Sequence, residues 1–253
     1  MDNARIYFFA GLQHFSAPFP ATYGDTHLPS DGVSGPILDL LGQQKLNPNP
    51  SQWLVRALIM DMDEWVKDGI PPPPNMYPHV SDGTLVPTSS LGSPRIPGVN
   101  LPVGPLKAYH LDFGPEFKTG IITKEPPLVG KPFPTLVPQV DKDGNDLGGI
   151  RVPEVAVPIA TYTGWNLRDP KIGAPTQMVS FVGSYIPFPK TRADRERSGD
   201  PRLSIAERYQ SREQYVGMYA GAALELIRER FLLPEDLPAV LHRGEQEWDV
   251  AVK

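Results

Sequence analysis

The chain has 253 residues, 40% of them hydrophobic, no cysteine, and a formal charge of −5 from 24 Lys and Arg against 29 Asp and Glu. That length can bury a core as one domain or two small ones, and the acidic balance gives a polyanion no basic field, so nucleic acid is not an expected partner. Without thiols there is neither a disulfide framework nor a thiolate metal site, and no run reaches the roughly 18 apolar residues of a membrane-spanning helix.

The N-terminal MDNARIYFFAG carries an uninterrupted run of only five apolar residues, Ile6 to Ala10, before Gly11. No export signal or membrane anchor is expected in it, and the compartment stays open. Within it, Arg5 to Ala10 is a short aromatic and aliphatic run closed by Gly11, the pattern of a buried strand entering a turn. Such a strand needs neighbours, and none is obvious nearby. From Phe15 to Pro50 the text is rich in Pro, Gly, Ser and Asn, with one apolar patch at Ile37 to Leu41, and predicts a long surface loop. Asn49-Pro50-Ser51 opens a helix in which Trp53, Leu54, Ala57, Leu58, Met62, Trp65 and Val66 follow helical spacing until Gly69 and a Pro tetrad end it.

Between Pro71 and Pro105 the density of Pro, Gly and Ser forbids regular helix and predicts a crossing over the surface. Short apolar runs at Ala108 to Phe113, Gly120 to Thr123, Thr135 to Val140 and Val155 to Tyr162 predict a central group of strands, and Asp141 to Asp146 (DKDGND) predicts a turn between two of them. The cationic cluster from Lys190 to Arg202 is interleaved with Asp194, Glu196 and Asp200. Ser211, with Gln214 three residues on, starts a helix carrying Tyr215, Met218, Tyr219, Ala222, Leu226 and Ile227 on one face, and Pro234-Glu235-Asp236 starts another through Leu237, Val240 and Leu241 toward Trp248. The expected architecture is mixed α and β: an N-terminal strand, a central group of short strands and C-terminal helices. Its segments are 1–70, a Pro-rich crossing at 71–106, and 107–253.

Serine hydrolase chemistry needs a hydroxyl, a base to take its proton and an acid to orient the base. The nucleophile elbow G-x-S-x-G is missing, since Gly32-Val33-Ser34-Gly35-Pro36 misplaces the second glycine. His14 sits on the loop just past the first strand, where a base belongs if that strand ends a parallel sheet; a lone histidine there is more often structural or merely exposed. His27, His79, His110 and His242 show no metal-ligand spacing, and in DKDGND an EF-hand would need its glycine sixth and a glutamate twelfth, where Gly144 is fourth and Val152 twelfth. No metal or cofactor is expected. Thr161 to Asp169 holds side chains that stack and hydrogen-bond, making Trp165, Asn166 and Arg168 candidate substrate-binding residues; the plainer reading is a turn in which Trp165 plugs a core and Arg168 pairs with Asp169 or a nearby carboxylate. Phe181 to Phe188 (FVGSYIPF) is expected to be an aromatic loop that packs.

The segments RIYFFAGLQHF, WLVRALIMDMDEWVKDGIPPPP, DGTLVP, LVPQVDKDGNDLGGIRVPEVAVPIATYTGWNLRDP, VGSYIPF and FLLPEDL, in that order, resemble the C-terminal region of a family of bacterial α/β-hydrolase-domain proteins of largely uncharacterised substrate. The resemblance covers nearly the whole chain. It implies an α/β-hydrolase-related fold in which the first segment is the last strand of the sheet and His14 the catalytic base. It also implies that the nucleophile and acid lie upstream, because such enzymes run Ser, acid, His along the chain. WVKDGIPPPP is further similar to the helix after the catalytic histidine in feruloyl-esterase and tannase-like hydrolases, which favours a small-molecule ester substrate. Two readings follow: a carboxylic ester hydrolase represented by its C-terminal portion, inactive alone, or a non-catalytic binding or packing module in which His14 is incidental. A calcium-dependent lectin-like module would rest on DKDGND alone.

Overall fold

A computed structural model describes residues 3–24, 41–104 and 107–253. In chain order the elements are β1 (Phe9–Ala10), β2 (Lys45–Leu46), α1 (Gln52–Asp68), β3 (Leu85–Pro87), β4 (Tyr109–Asp112), β5 (Leu128–Pro132), β6 (Leu136–Pro138), β7 (Ile150–Arg151), α2 (Pro153–Ala156), β8 (Ala160–Tyr162), β9 (Ser184–Pro187), α3 (Arg192–Ser198), α4 (Ile205–Arg208), α5 (Arg212–Arg228) and α6 (Leu237–Val252). The apolar patch at 37–41, apart from Leu41, and the Ser34 segment lie outside the described residues.

The apolar N-terminal run is a strand only in part. Tyr7 bridges Met76 in parallel, and Phe9 and Ala10 pair in parallel with Ile150 and Arg151. Met76 N–H donates to the Ile6 carbonyl, Phe8 N–H to the Met76 carbonyl, and Ile150 N–H to the Phe8 carbonyl. The neighbours absent from the local sequence thus come from far along the chain, through residues that carry no strand pattern of their own. Among the described residues the alternate groups, the N–H groups of Tyr7 and Phe9, have no backbone partner, so one edge of this strand is open.

Several expectations change: the surface loop expected at 15–50 contributes β2 and is buried at 46–50, and the crossing expected at 71–106 contributes β3. Gly120 to Thr123 is not a strand, and Gly120 instead ends a 3-10 turn in the left-handed conformation. Val155 to Tyr162 divides: Pro153, with its fixed φ, starts the short helix α2, and only Ala160–Tyr162 extends as β8. Phe181 to Phe188 contains β9, which pairs antiparallel with β8 on one side and β2 on the other to make a three-stranded sheet. The turn at Asp141 to Asp146 forms as expected, closed by Gly144 N–H to Asp141 O (2.9 Å), with Val140 bridging Asp146.

The helices follow their local signals. α1 ends where Gly69 takes the left-handed conformation and returns its N–H to Trp65 O. It buries Leu54 and Ala57 but leaves Met62 and Val66 exposed with Val55 and Ile59, while buried Asp61 pairs with Arg230 (2.6 Å). The Ser211 hydroxyl accepts Gln214 N–H at the start of α5 (3.2 Å). α5 packs on α6 through Tyr215, Tyr219, Ala223 and Leu226 against Val240, Gly244, Glu247 and Ala251. Gly244 allows the approach: a Cβ there would stand 2.7 Å from the Tyr219 ring. One apolar core joins Ala10, Leu54, Ile150, Val155, Tyr162, Tyr185, Tyr215 and Phe231. No helix among the described residues is long and apolar enough to cross a membrane.

Candidate active site at the end of the first strand

The turn after β1 places His14, and buried amides hold that turn. Gly11 has φ +64°, and a Cβ on it would lie 2.6 Å from Val155 Cγ2. Its N–H donates to Asp146 Oδ2 (2.8 Å), and its carbonyl accepts from Asn47 Nδ2 (2.7 Å) and Asn49 Nδ2 (3.3 Å). Gln13 Nε2 donates to the Asn47 carbonyl (2.9 Å). Burial pushes the Asp146 carboxyl above the usual range, opposed by the Gly11 amide and by Arg151.

Beyond this anchor His14 is exposed, its ring against Phe15 and Phe181 with centroids 4.7 and 5.0 Å away. Phe15 N–H donates to the Phe181 carbonyl (3.0 Å), and Phe181 itself takes the left-handed conformation, φ +67°. The three rings form an aromatic ledge at the carboxyl end of β1, the side of a parallel strand where reactive groups gather in open α/β sheets. Among the described residues His14 makes no hydrogen bond to a hydroxyl and no ion pair with a carboxylate. Ser16 Oγ donates to Asn49 O (2.9 Å), and buried Ser184 Oγ to Trp165 O (2.7 Å).

The second candidate group lies at the same end of the molecule, because Asn47 Nδ2 also donates to Thr163 O (3.1 Å). Asn166 is buried and fully engaged: Nδ2 donates to Gln44 O (2.9 Å) and Gly183 O (3.4 Å), and Oδ1 accepts Gln44 N–H (3.2 Å). Arg168 donates to the carbonyls of Gly173 (3.0 Å) and Ile172 (2.7 Å) rather than pairing with Asp169, whose carboxylate instead caps Lys171 N–H (2.8 Å). Half-buried Trp165 is the member of this group with ring surface left to offer.

Beneath the loop lies a buried charge cluster. Arg243 on α6 pairs with Glu247 (2.7 Å), donates to Pro48 O (3.1 Å) and stacks on Phe19 at 3.9 Å, so it fastens the segment carrying His14 to the C-terminal helix. Burial raises both Glu154 and Glu247, the latter to about 7, with Arg243 opposing. Among the described residues no group of three or more His, Asp or Glu is placed to hold a metal ion. Surface clefts lined by Pro71–Met76 with Arg228 and Arg230, and by Thr88, Lys107 and Phe133, do not include His14 or Trp165.

Residues 1–242 match the family model described as alpha/beta hydrolase domain. The chain belongs to the alpha/beta hydrolase domain family. No curated protein and no solved structure matches it. Mixed α and β content with several strands and C-terminal helices accords with this membership. In this hydrolase-domain chain, sequence patterns single out His14 but say little of the residues that fix its turn. Asn47 and Asn49 read as the lead-in to a helix, Asp146 as a turn residue, and Phe181 as packing. The repeated Asn-Pro pairs at 47–50 are the one local signal, since short amides beside proline satisfy neighbouring backbone groups.

Proposed function

We propose that this chain is the C-terminal part of a carboxylic ester hydrolase in which His14 is the general base and a serine on an upstream segment the nucleophile. The observation that carries the reading is the placement of His14: exposed, held between Phe15 and Phe181, at the carboxyl end of a parallel-paired strand whose anchoring turn is fixed by Asp146, Asn47 and Asn49. His14 Nε2 or Nδ1 would take the serine proton as the hydroxyl attacks the ester carbonyl, then return it to the leaving alkoxide; the acid that orients the ring and the oxyanion donors would also come from upstream. The open edge at Tyr7 and Phe9 supports the reading, because a further strand can pair there, and Trp165 would wall the acyl or alcohol pocket.

p-Nitrophenyl acetate hydrolysis tests it, comparing the 253-residue chain, an upstream-extended protein and the extended protein with His14→Ala. The expected pattern is no turnover by the short chain, turnover by the extended protein, and a loss of about a thousandfold or more in kcat with His14→Ala. Full activity in the extended His14→Ala protein would remove His14 from the mechanism. The second reading, a non-catalytic packing module, is favoured by the commitment of Asn166 and Arg168 to backbone carbonyls. It predicts no turnover in either length.

A further inference from the structure

The aromatic ledge around His14 holds a backbone strain that its own packing does not explain. Among the described residues only Ala174, Phe181 and Arg230 take a positive φ without being glycine. Ala174 has no side chain beyond Cβ. Arg230 follows the end of α5, where Phe231 N–H returns to Leu226 O (2.8 Å) and a left-handed residue closes the helix. Phe181 is bulky, ends no helix and stands in a turn at φ +67°, an angle that glycine or asparagine adopts with far less strain. Both sides of that turn are fixed: Val179 and Val182 are buried with Leu46, Val179 N–H donates to Asn166 O (2.8 Å), and Asn47 N–H donates to Gly183 O (3.0 Å). The ring on this held backbone is nevertheless 52% exposed, and Phe15 beside it 45%. A strained residue whose ring stays half in water adds little to folding, which points to a contact made by the ring itself.

We propose that Phe15 and Phe181 form an aryl-binding subsite beside His14, so that the substrates it selects are esters carrying an aromatic ring close to the ester group. Ring geometry supports this. The planes of His14 and Phe15 are tilted by 62°, those of His14 and Phe181 by 44° and those of Phe15 and Phe181 by 67°, with centroids 4.7, 5.0 and 5.4 Å apart. Rings already packed edge to face can take a further ring in the same manner. Size supports a small ligand over a protein. The three half-open rings offer roughly 300 Å², far below the ~800 Å² per partner of a stable protein interface and on the scale of one small molecule. Half-buried Trp165 lies on the same side, since a Cβ on its neighbour Gly164 would stand 3.1 Å from Leu12 O. With both phenyl rings about one ring-width from the imidazole, a ring bound there brings an ester carbon to His14 only through a short link. Calling the ligand a substrate rests on His14 as the general base; binding of the ring does not.

Ligand-observed NMR titration of the 253-residue protein tests ring binding apart from turnover, with circular dichroism to verify folding. The probes are methyl benzoate and methyl cyclohexanecarboxylate, alike in size and ester group, the second with more apolar surface but no π face. Methyl benzoate should bind about threefold tighter or more, although apolar area alone would favour the other ester. Phe181→Leu, which keeps an apolar side chain at an exposed position, should abolish that preference. Phe117→Leu, at another exposed ring, should keep it. No binding of either ester, or equal or weaker binding of methyl benzoate, would overturn the proposal. So would a preference that survives Phe181→Leu or vanishes with Phe117→Leu. A measured preference stands whether or not His14→Ala abolishes turnover in the extended protein, so failure of the subsite and failure of the general base are separate results.

Discussion

Asn145 stands in for a neighbouring strand beside Tyr162. Its side-chain Oδ1 accepts Tyr162 N–H (2.8 Å) and its Nδ2 donates to Ala160 O (3.1 Å), the pair of bonds a backbone peptide would make to β8. The 141–146 turn therefore closes the free edge of the three-stranded sheet with one buried amide. Asn145→Ala leaves two buried backbone groups unpaired, and the expected loss is on the order of 3 kcal/mol by urea denaturation. A loss below ~1 kcal/mol would mean that water or a shift of the turn replaces the amide.

The same turn bears on calcium. Asp141 Oδ1 accepts the N–H groups of Asp143 and Asn145, its Oδ2 meets Arg151, Asp143 is gripped by both guanidinium nitrogens of Arg208, and Asp146 accepts Gly11 N–H. These carboxylates are already neutralised by protein donors. Calcium or a chelator should leave the melting temperature unchanged to within about 1 °C; a calcium-dependent rise of several degrees would show the loop opening to bind it.

Arg202 is buried beneath Phe188, with its guanidinium on Asp200 (2.7 and 3.0 Å), Thr161 Oγ1 (2.9 Å), Ile186 O (2.9 Å) and Pro187 O (3.1 Å). Burial raises the Asp200 carboxyl, but the bonds from Arg202 outweigh it and hold the group below its ordinary range. Arg202→Lys keeps the charge and loses the planar fork, so a destabilisation of roughly 3 kcal/mol is expected by chemical denaturation. A near-neutral lysine variant would show that charge alone suffices.

Glu247 sets a pH dependence. Burial raises its folded-state pKa to about 7, above the ~4.3 of an unfolded glutamate. Between those values the folded chain holds a proton that the unfolded chain has released, so stability falls as pH rises through that window. Glu154 is raised as well, the neighbouring Tyr162, Tyr215 and Tyr219 are held neutral by burial, and Arg243 stays charged. Thermal scans from pH 5 to 8 should show a declining melting temperature, with a shallower decline in Glu247→Gln. Equal slopes in the two proteins would remove Glu247 as the source.

Gly11 and His14 separate scaffold from chemistry. Gly11→Ala brings a side chain into Val155 at a left-handed backbone position and should destabilise the chain by about 2 kcal/mol or more. His14→Ala, at an exposed position, should change stability by less than ~0.5 kcal/mol. A large stability loss in His14→Ala would mean that the aromatic ledge is structural, and an activity loss in that variant could then not be assigned to proton transfer.

The long helices were legible because their signals are local. Capping, a 3.6-residue period and a terminal glycine act within one or two turns, and α1, α5 and α6 form where those marks lie. The strands were less legible. Apolar runs at 120–123 and 155–162 resemble strands in composition, yet a ladder needs a partner at the right distance, and Pro153 and Gly120 had already turned the chain elsewhere. His14 could be picked out as the histidine following an apolar run, but Phe181, which its ring touches, and Asp146, which fixes its turn, are far away in the chain.

By itself, then, the sequence determined the three long helices, the mixed α and β content, the turn at 141–146 and the resemblance that the family match supports. Tertiary structure alone decided that Met76 and Ile150 complete the first strand, that Asn145 and Asn166 serve as backbone substitutes, and that Arg243 ties α6 to the His14 segment. The division has one physical cause. Local backbone groups find partners a few residues away and leave a pattern, whereas a buried backbone group left over in a loop-rich chain takes whichever side chain folding delivers, however distant in sequence.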